Sequence, residues 1–426
     1  MAARQETGIG PQADLHPPAV LPSDYSRILC DYSKGNVLKF VFALTLLSTA
    51  PALAGERFPE FPLAAKMTAA AKVGSTVYVG LGSAGKAWYA LDLSTPGAPW
   101  RARAPFPDQP RDHARAAAIG TAIYVFGGQG KLNPGDRKEI MFDTVWKYDS
   151  AGDTWSKVPT RSPMGGLAAA VTTLDRRNIL FFGGVNKAIF DGYFADYYDA
   201  ATRTSMHDGV ITTGNDKAMQ DEVDQRYFNQ RPEDYLFTAQ VLSYDPARNQ
   251  WRNLGIDPHP VTVGAALAVA ANEVTLVGGE IKPGLRSPHA KRVTVSGERL
   301  SWRPLTPMPP APGDAAQEGI AGAFAGYSQG VLLAAGGANF PGAWKRFMEG
   351  QLFAHKGLAK TWRADIYAEV NGRWTVAGKL PAPMGYGSYI QLDEGVLVIG
   401  GELQGGAGSK DVFLMKWNGK SVDIVR

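Results

Sequence analysis

Six times along this chain a short apolar run closes on glycine, and each time a tryptophan follows at a similar distance. The runs are AIYVFGG ending at Gly128, NILFFGG at Gly184, EVTLVGG at Gly279, VLLAAGG at Gly337 and VLVIGG at Gly401, with a degenerate copy, TVYVGLG, ending at Gly82. A loop and a second β-rich run then lead to Trp100, Trp155, Trp251, Trp302, Trp374 and Trp417. Branched and aromatic runs punctuated by Gly, Asn and Pro, repeating about every 50 residues, describe four-stranded blades stacked around an axis. Paired glycines let the backbone pass where blades crowd, and each Trp supplies apolar area between neighbouring sheets. The expected fold is all-β, a six-bladed β-propeller.

The Tyr-Asp-to-Trp turns, as in YDSAGDTW, make it a propeller of the kelch type. Two long loop inserts break the period, one between Gly184 and Val241 and one between Gly337 and Ile366. Long loops in a compact domain are usually functional. In an up-and-down blade, the loops after the second strand and the connections between blades emerge on the same side. Both inserts therefore wall or roof one mouth of the central channel. Asn215 and Asp216 ahead of KAMQDEVDQRY are placed to cap a short helix in the first. The segment FPEFPLAAK is expected to close the ring by pairing with the last blade.

The run VLKFVFALTLLSTAPALA, from Val37 to Ala54, follows Lys34 and ends in Ala-Leu-Ala before Gly55. A basic start, an apolar stretch short for a membrane span and a small-x-small end describe a signal peptide, and imply secretion. Residues 1–36 are unlike a leader and are set aside as an N-terminal extension, leaving 55–426 as the propeller. Cys30, the single cysteine, falls in that extension, so the mature chain has neither thiol nor disulfide. A formal net charge of +4 with no Lys/Arg-rich run argues against nucleic acid, while its sign suits an anionic small molecule. No membrane association is expected once the leader is removed.

The face that carries the inserts also collects polar residues. GGEIKPGLR brings Glu280 and Arg286, PRDHARAA brings Arg111 and Asp112, GGVN brings Asn186, PMGYGSY brings Tyr386 and the last GGE brings Glu402. A carboxylate beside guanidinium groups at a channel mouth suits a carboxylated, hydroxyl-rich ligand, because arginine grips a carboxylate through two parallel hydrogen bonds. The remaining histidines show no metal-ligand spacing, so no metal is expected. Nor is a cofactor, since no P-loop and no Gly-x-Gly-x-x-Gly in a βαβ context is present. The Ser-x-Asp-x-Gly-x-x-Trp turns of sialidases are absent too.

GLGSAGKAWYALD, PRDHARAA, FGGQGK, GGVNKAIFDGYFAD, YFNQRPEDYLF, GGEIKPGLR, EGIAGAFAG and FAHKGLAKTW together resemble the N-acetylneuraminate epimerase (sialic acid mutarotase) family over nearly the whole mature chain. The resemblance implies a periplasmic, cofactor-independent homodimer that converts the α-anomer of sialic acid to the β-anomer. It also implies that Glu280 is the proton acceptor and Arg286 its partner. General acid–base ring opening by Glu280, with Arg286 or Arg111 holding the sugar carboxylate, is the expected mechanism. The competing expectation is a propeller that binds glycans or proteins without catalysis.

Overall fold

The computed structural model describes residues 57–163, 165–200, 204–207, 210–213 and 217–426. The N-terminal extension, the leader pattern with Cys30, and the helix cap at Asn215 and Asp216 lie outside the described residues. Six antiparallel four-stranded sheets follow one another in the chain. Their inner strands are Ala69–Val73, Arg115–Ile119, Ala170–Thr172, Ala266–Ala270, Phe324–Ser328 and Ser388–Leu392. In every blade the second strand ends in the glycine run and the third and fourth strands step outward, so the fold is the six-bladed propeller expected.

Burial follows from the alternation. Second strands such as Val396 to Ile399 are buried on both faces, because each sheet is covered by a blade on either side. Aromatic side chains fill the gaps between sheets: Trp155 packs against Trp88 at 5.4 Å and against Phe106 at 5.2 Å, joining blades 1 and 2.

The ring closes, as expected, where the N-terminal segment pairs with the last blade, but it does so without adding a strand to the four-stranded sheet. All four strands of blade 6 come from the C-terminal segment, and the N-terminal segment runs beside it. Arg57 donates its N–H to the Arg426 carbonyl at 3.0 Å, and Phe61 to Lys410 at 2.8 Å. Ala65 pairs with Ser409, and Phe58 and Phe61 fill the space between blades 1 and 6 with Val77, Val79, Leu397 and Leu414.

Around the channel mouth the segments leading into the blades are stitched together. One residue in each, Met67, His113, Ala168, Gly264, Gly322 and Tyr386, has a positive φ, between 54° and 69°. Each is the second residue before its inner strand, and bonds run from blade to blade. His113 N–H donates to Met67, Met67 to Tyr386, Tyr386 to Gly322, Gly322 to Gly264 and Gly264 to Ala168, at 2.5 to 3.0 Å. This belt ties the six entry segments together around the mouth.

The paired glycines make the belt accessible to the neighbouring blade. A Cβ on Gly336 would lie 2.4 Å from the Met384 carbonyl of the next blade, and one on Gly278 would lie 2.3 Å from that of Ile320. The second glycine of each pair then bonds to that same carbonyl: Gly337 to Met384 at 2.9 Å and Gly279 to Ile320 at 2.7 Å.

Both inserts lie on this face. The first forms α1 (Lys187–Ala200), a strand pair Thr204–His207 with Val210–Thr213, and α2 (Lys217–Phe228). The second carries α3 (Ala343–Met348).

Candidate functional site

Directly after the Gly-Gly of blade 4 the chain makes a small hairpin, Glu280–Lys282 against Leu285–Arg286, turning at Gly284. Glu280 and Arg286 are cross-strand partners, and Arg286 Nη1 lies 2.9 Å from Glu280 Oε1. The Arg286 side chain is 5 % exposed and the Glu280 side chain 22 %, so the carboxylate is the half of the pair that meets solvent. Behind it the guanidinium stacks on Phe340 at 5.0 Å and reaches the Ala338 carbonyl and the Tyr386 hydroxyl, at 3.4 and 3.5 Å. Trp344 of α3 donates its indole N–H to the Arg286 carbonyl at 2.7 Å, which fixes the hairpin from the second insert.

Lys282 fixes it from the first insert. Its buried ammonium donates to the carbonyls of Phe228 at 3.0 Å, Leu352 at 2.6 Å and Gln230. Burial pushes this lysine down to about 8.

Glu280 opens onto a cavity of about 290 Å³ at the channel mouth. Its floor and lower wall are the six belt residues, and its upper wall is aromatic: Phe190, Tyr193 and Phe194 from α1, Tyr227 and Phe228 from α2. Tyr193 and Tyr227 stack at 4.1 Å, and the Tyr193 hydroxyl donates to Asp224 at 2.7 Å, locking the two helices together. Burial raises both phenols, so they stay neutral.

Two belt positions add polar groups. Burial, followed by the charges of Arg115 and Lys360, pushes His113 down to about 3, so its ring is neutral. The Tyr386 ring packs edge-on to it at 6.0 Å, and burial raises the phenol.

Of the residues picked out from sequence, Glu280 and Tyr386 line the cavity and Arg286 backs both. Glu402 occupies the position of Glu280 in blade 6, one residue after Gly-Gly, but is sealed at 5 % exposure. Lys66 and Lys360 bond to its two oxygens at 2.9 and 2.7 Å, and burial is outweighed by these donors, which hold the carboxyl below its usual range. Asn186 caps α1, its side-chain oxygen accepting the N–H groups of Ala188 and Ile189 at 3.0 and 3.3 Å.

Arg111 is not brought to the cavity. Its side chain is fully buried, paired with Asp108 at 2.7 Å and held between Phe106 and Phe142 at 4.8 and 4.2 Å. A guanidinium enclosed in this way has no access to a ligand in the cavity. The guanidinium that does line the cavity is Arg115, four residues further on. Sequence reasoning missed it together with His113; both stand in the same PRDHARAA run, and the belt geometry that separates the inward from the outward side chains is not a pattern of residue types.

The sequence profile of the N-acetylneuraminate epimerase family matches residues 58–424. The chain belongs to this family. It is 41% identical over 388 residues to the N-acetylneuraminate epimerase of Yersinia pestis, covering 91% of this chain and 96% of that protein. To the Vibrio cholerae protein of the same name it is 42% identical over 376 residues, 87% of this chain and 94% of the relative. The solved structure of YjhT superposes with a TM-score of 0.79 at 36% identity, covering 86% of this chain and 99% of that one. Membership drawn from GGEIKPGLR and its companions is thus borne out on the sequence and on the fold of the epimerase family.

Proposed function

We propose that this chain is an isomerase that interconverts the α and β anomers of N-acetylneuraminate, with Glu280 moving the proton. Family membership supports the reaction. The observation that carries the assignment of Glu280 is its geometry: one carboxylate, oriented by a buried arginine at 2.9 Å, exposed to a cavity with an aromatic wall.

Mutarotation of a 2-keto sugar acid requires the anomeric hydroxyl to lose a proton and the ring oxygen to gain one as the bond between that oxygen and the anomeric carbon breaks. Both oxygens sit on the same carbon, so one carboxylate reaches both. Glu280 takes the hydroxyl proton, and the bonding electrons pass to the ring oxygen, which receives the proton back from Glu280. The open-chain ketone turns its other face to the ring hydroxyl, and the same steps in reverse close the other anomer. Arg286 keeps the carboxylate aimed, while the neighbouring Tyr386 hydroxyl is a donor within reach of the pair. The walls of α1 and α2 offer apolar surface to the sugar's C–H face.

The test follows the decay of freshly released α-anomer by proton NMR. Glu280→Gln is expected to lower the acceleration by about 100- to 10,000-fold, the usual contribution of a positioned acid–base group. A variant as fast as the parent removes Glu280 from the role, and a parent that binds the sugar without accelerating decay makes the protein a binding module. We further infer export to the periplasm, supported by the Lys34 to Ala54 pattern. Sequencing the N-terminus of the exported protein tests this, with Gly55 the expected first residue.

A further inference from the structure

We infer that Arg115 is the binding group for the carboxylate of the sugar acid, forming an anion subsite in the wall of the cavity that Glu280 serves. The inference rests on the sugar-acid reading above and adds to it the residue that recognises the acid.

The propeller's internal repetition shows that the fold does not need a charge there. Arg115 is the first residue of its inner strand and pairs with Phe126. The residues at the same register in the other blades are Ala69, Ala170, Ala266, Phe324 and Ser388, opposite Gly80, Phe182, Val277, Ala335 and Ile399. Five blades fill this position with small or apolar side chains that are buried. Blade 2 alone has a guanidinium, and it faces both the cavity and the channel beneath.

Among the described residues no carboxylate answers its charge. Among the described residues Arg111 is paired with Asp108, Arg286 with Glu280, and Lys66 and Lys360 with Glu402. Arg115 has no carboxylate within ion-pair distance and no side-chain hydrogen bond among them, and its Nε is buried without a partner. An unpaired cation in a water-poor site is costly, and the cost is recovered when an anion arrives. Burial lowers its basicity, as expected for such a cation, yet a guanidinium stays protonated. Its neighbours add no competing anion: His113 is neutral, and the Tyr389 hydroxyl is engaged by the Leu267 N–H at 2.7 Å.

The chemistry selects a carboxylate on the reacting carbon. In a 2-keto sugar acid the carboxylate is bonded to the anomeric carbon, so a fork of two hydrogen bonds from Arg115 fixes the atom whose two oxygens Glu280 must reach. A neutral sugar gains nothing from this group.

Binding of N-acetylneuraminate and of its neutral C1 carboxamide, by calorimetry, to the parent, Arg115→Lys and Arg115→Met separates the possibilities. The parent is expected to prefer the acid by about 10- to 100-fold, the scale of a charge-assisted bidentate contact. Arg115→Met loses that preference while binding the carboxamide as the parent does, and Arg115→Lys keeps part of it. A parent indifferent between acid and amide overturns the inference without any variant. An Arg115→Met protein that still prefers the acid as strongly as the parent does so as well. Failure of the epimerase reading looks different: no acceleration of anomer decay by a parent that still selects the acid.

Discussion

His113 shows what the belt asks of a single residue. Its positive φ of 57° points the ring into the cavity, where burial and two nearby cations hold it uncharged down to about pH 3. An unfolded histidine takes a proton near 6.5, so between pH 6.5 and 3 the unfolded chain binds a proton that the folded one refuses. The stability contributed by a neutral His113 is complete above 6.5 and drains away as pH falls through that window. A His113→Gln protein is therefore expected to show a shallower fall of urea midpoint between pH 7 and pH 4 than the parent; parallel curves would show that the ring is not held neutral. The same turn explains what sequence could and could not reveal. Glu280 and Arg286 were legible because a two-residue-wide hairpin after Gly-Gly leaves little freedom in where they point. Arg111 and Arg115 were not separable, since both are arginines in one short run. Only the left-handed residue between them, and the Phe106 and Phe142 faces that enclose the first, decide which one meets the cavity.

At the level of elements, the site depends on a hairpin that belongs to blade 4 but is held by both inserts. Lys282 joins the two, because Phe228 and Gln230 of the first insert and Leu352 of the second have their carbonyls turned to one ammonium. Lys282→Met keeps the stem and removes the donor, stranding three carbonyls at a cost of roughly 2–4 kcal/mol. The loss should be local: hydrogen exchange is expected to quicken across residues 217–236 while second strands such as Val396 to Ile399 keep their protection. Uniform loss of protection would mean that the lysine supports the propeller itself rather than the cavity roof. The helix α2 was legible from KAMQDEVDQRY. Its partner α1 was not, since Phe190, Tyr193, Phe194 and Tyr197 read as an aromatic loop until α2 is present to cover one side of them.

Across the whole molecule, a ring of blades without a shared closing sheet must be held at its junctions, and the paired glycines were the most legible signal because every junction repeats the same steric demand. At the junction of blades 5 and 6, the Met384 carbonyl is both the atom that a Cβ on Gly336 would strike and the acceptor for Gly337. Gly336→Ala therefore adds three penalties: a left-handed alanine, a contact at 2.4 Å, and a strained or broken bond between blades. Gly74 offers the control, having a similar φ of 57° in a hairpin turn of blade 1 with nothing near its would-be Cβ. Gly74→Ala is expected to cost about 1 kcal/mol, the conformational term alone. Gly336→Ala should cost about 3 kcal/mol or more, because crowding against backbone cannot be relieved by a rotamer change. Urea midpoints of the two variants compare them directly. Equal losses would mean that the blades have room to separate and that apolar packing alone holds the ring; a markedly larger loss at Gly336 locates its closure in the backbone contacts around the channel.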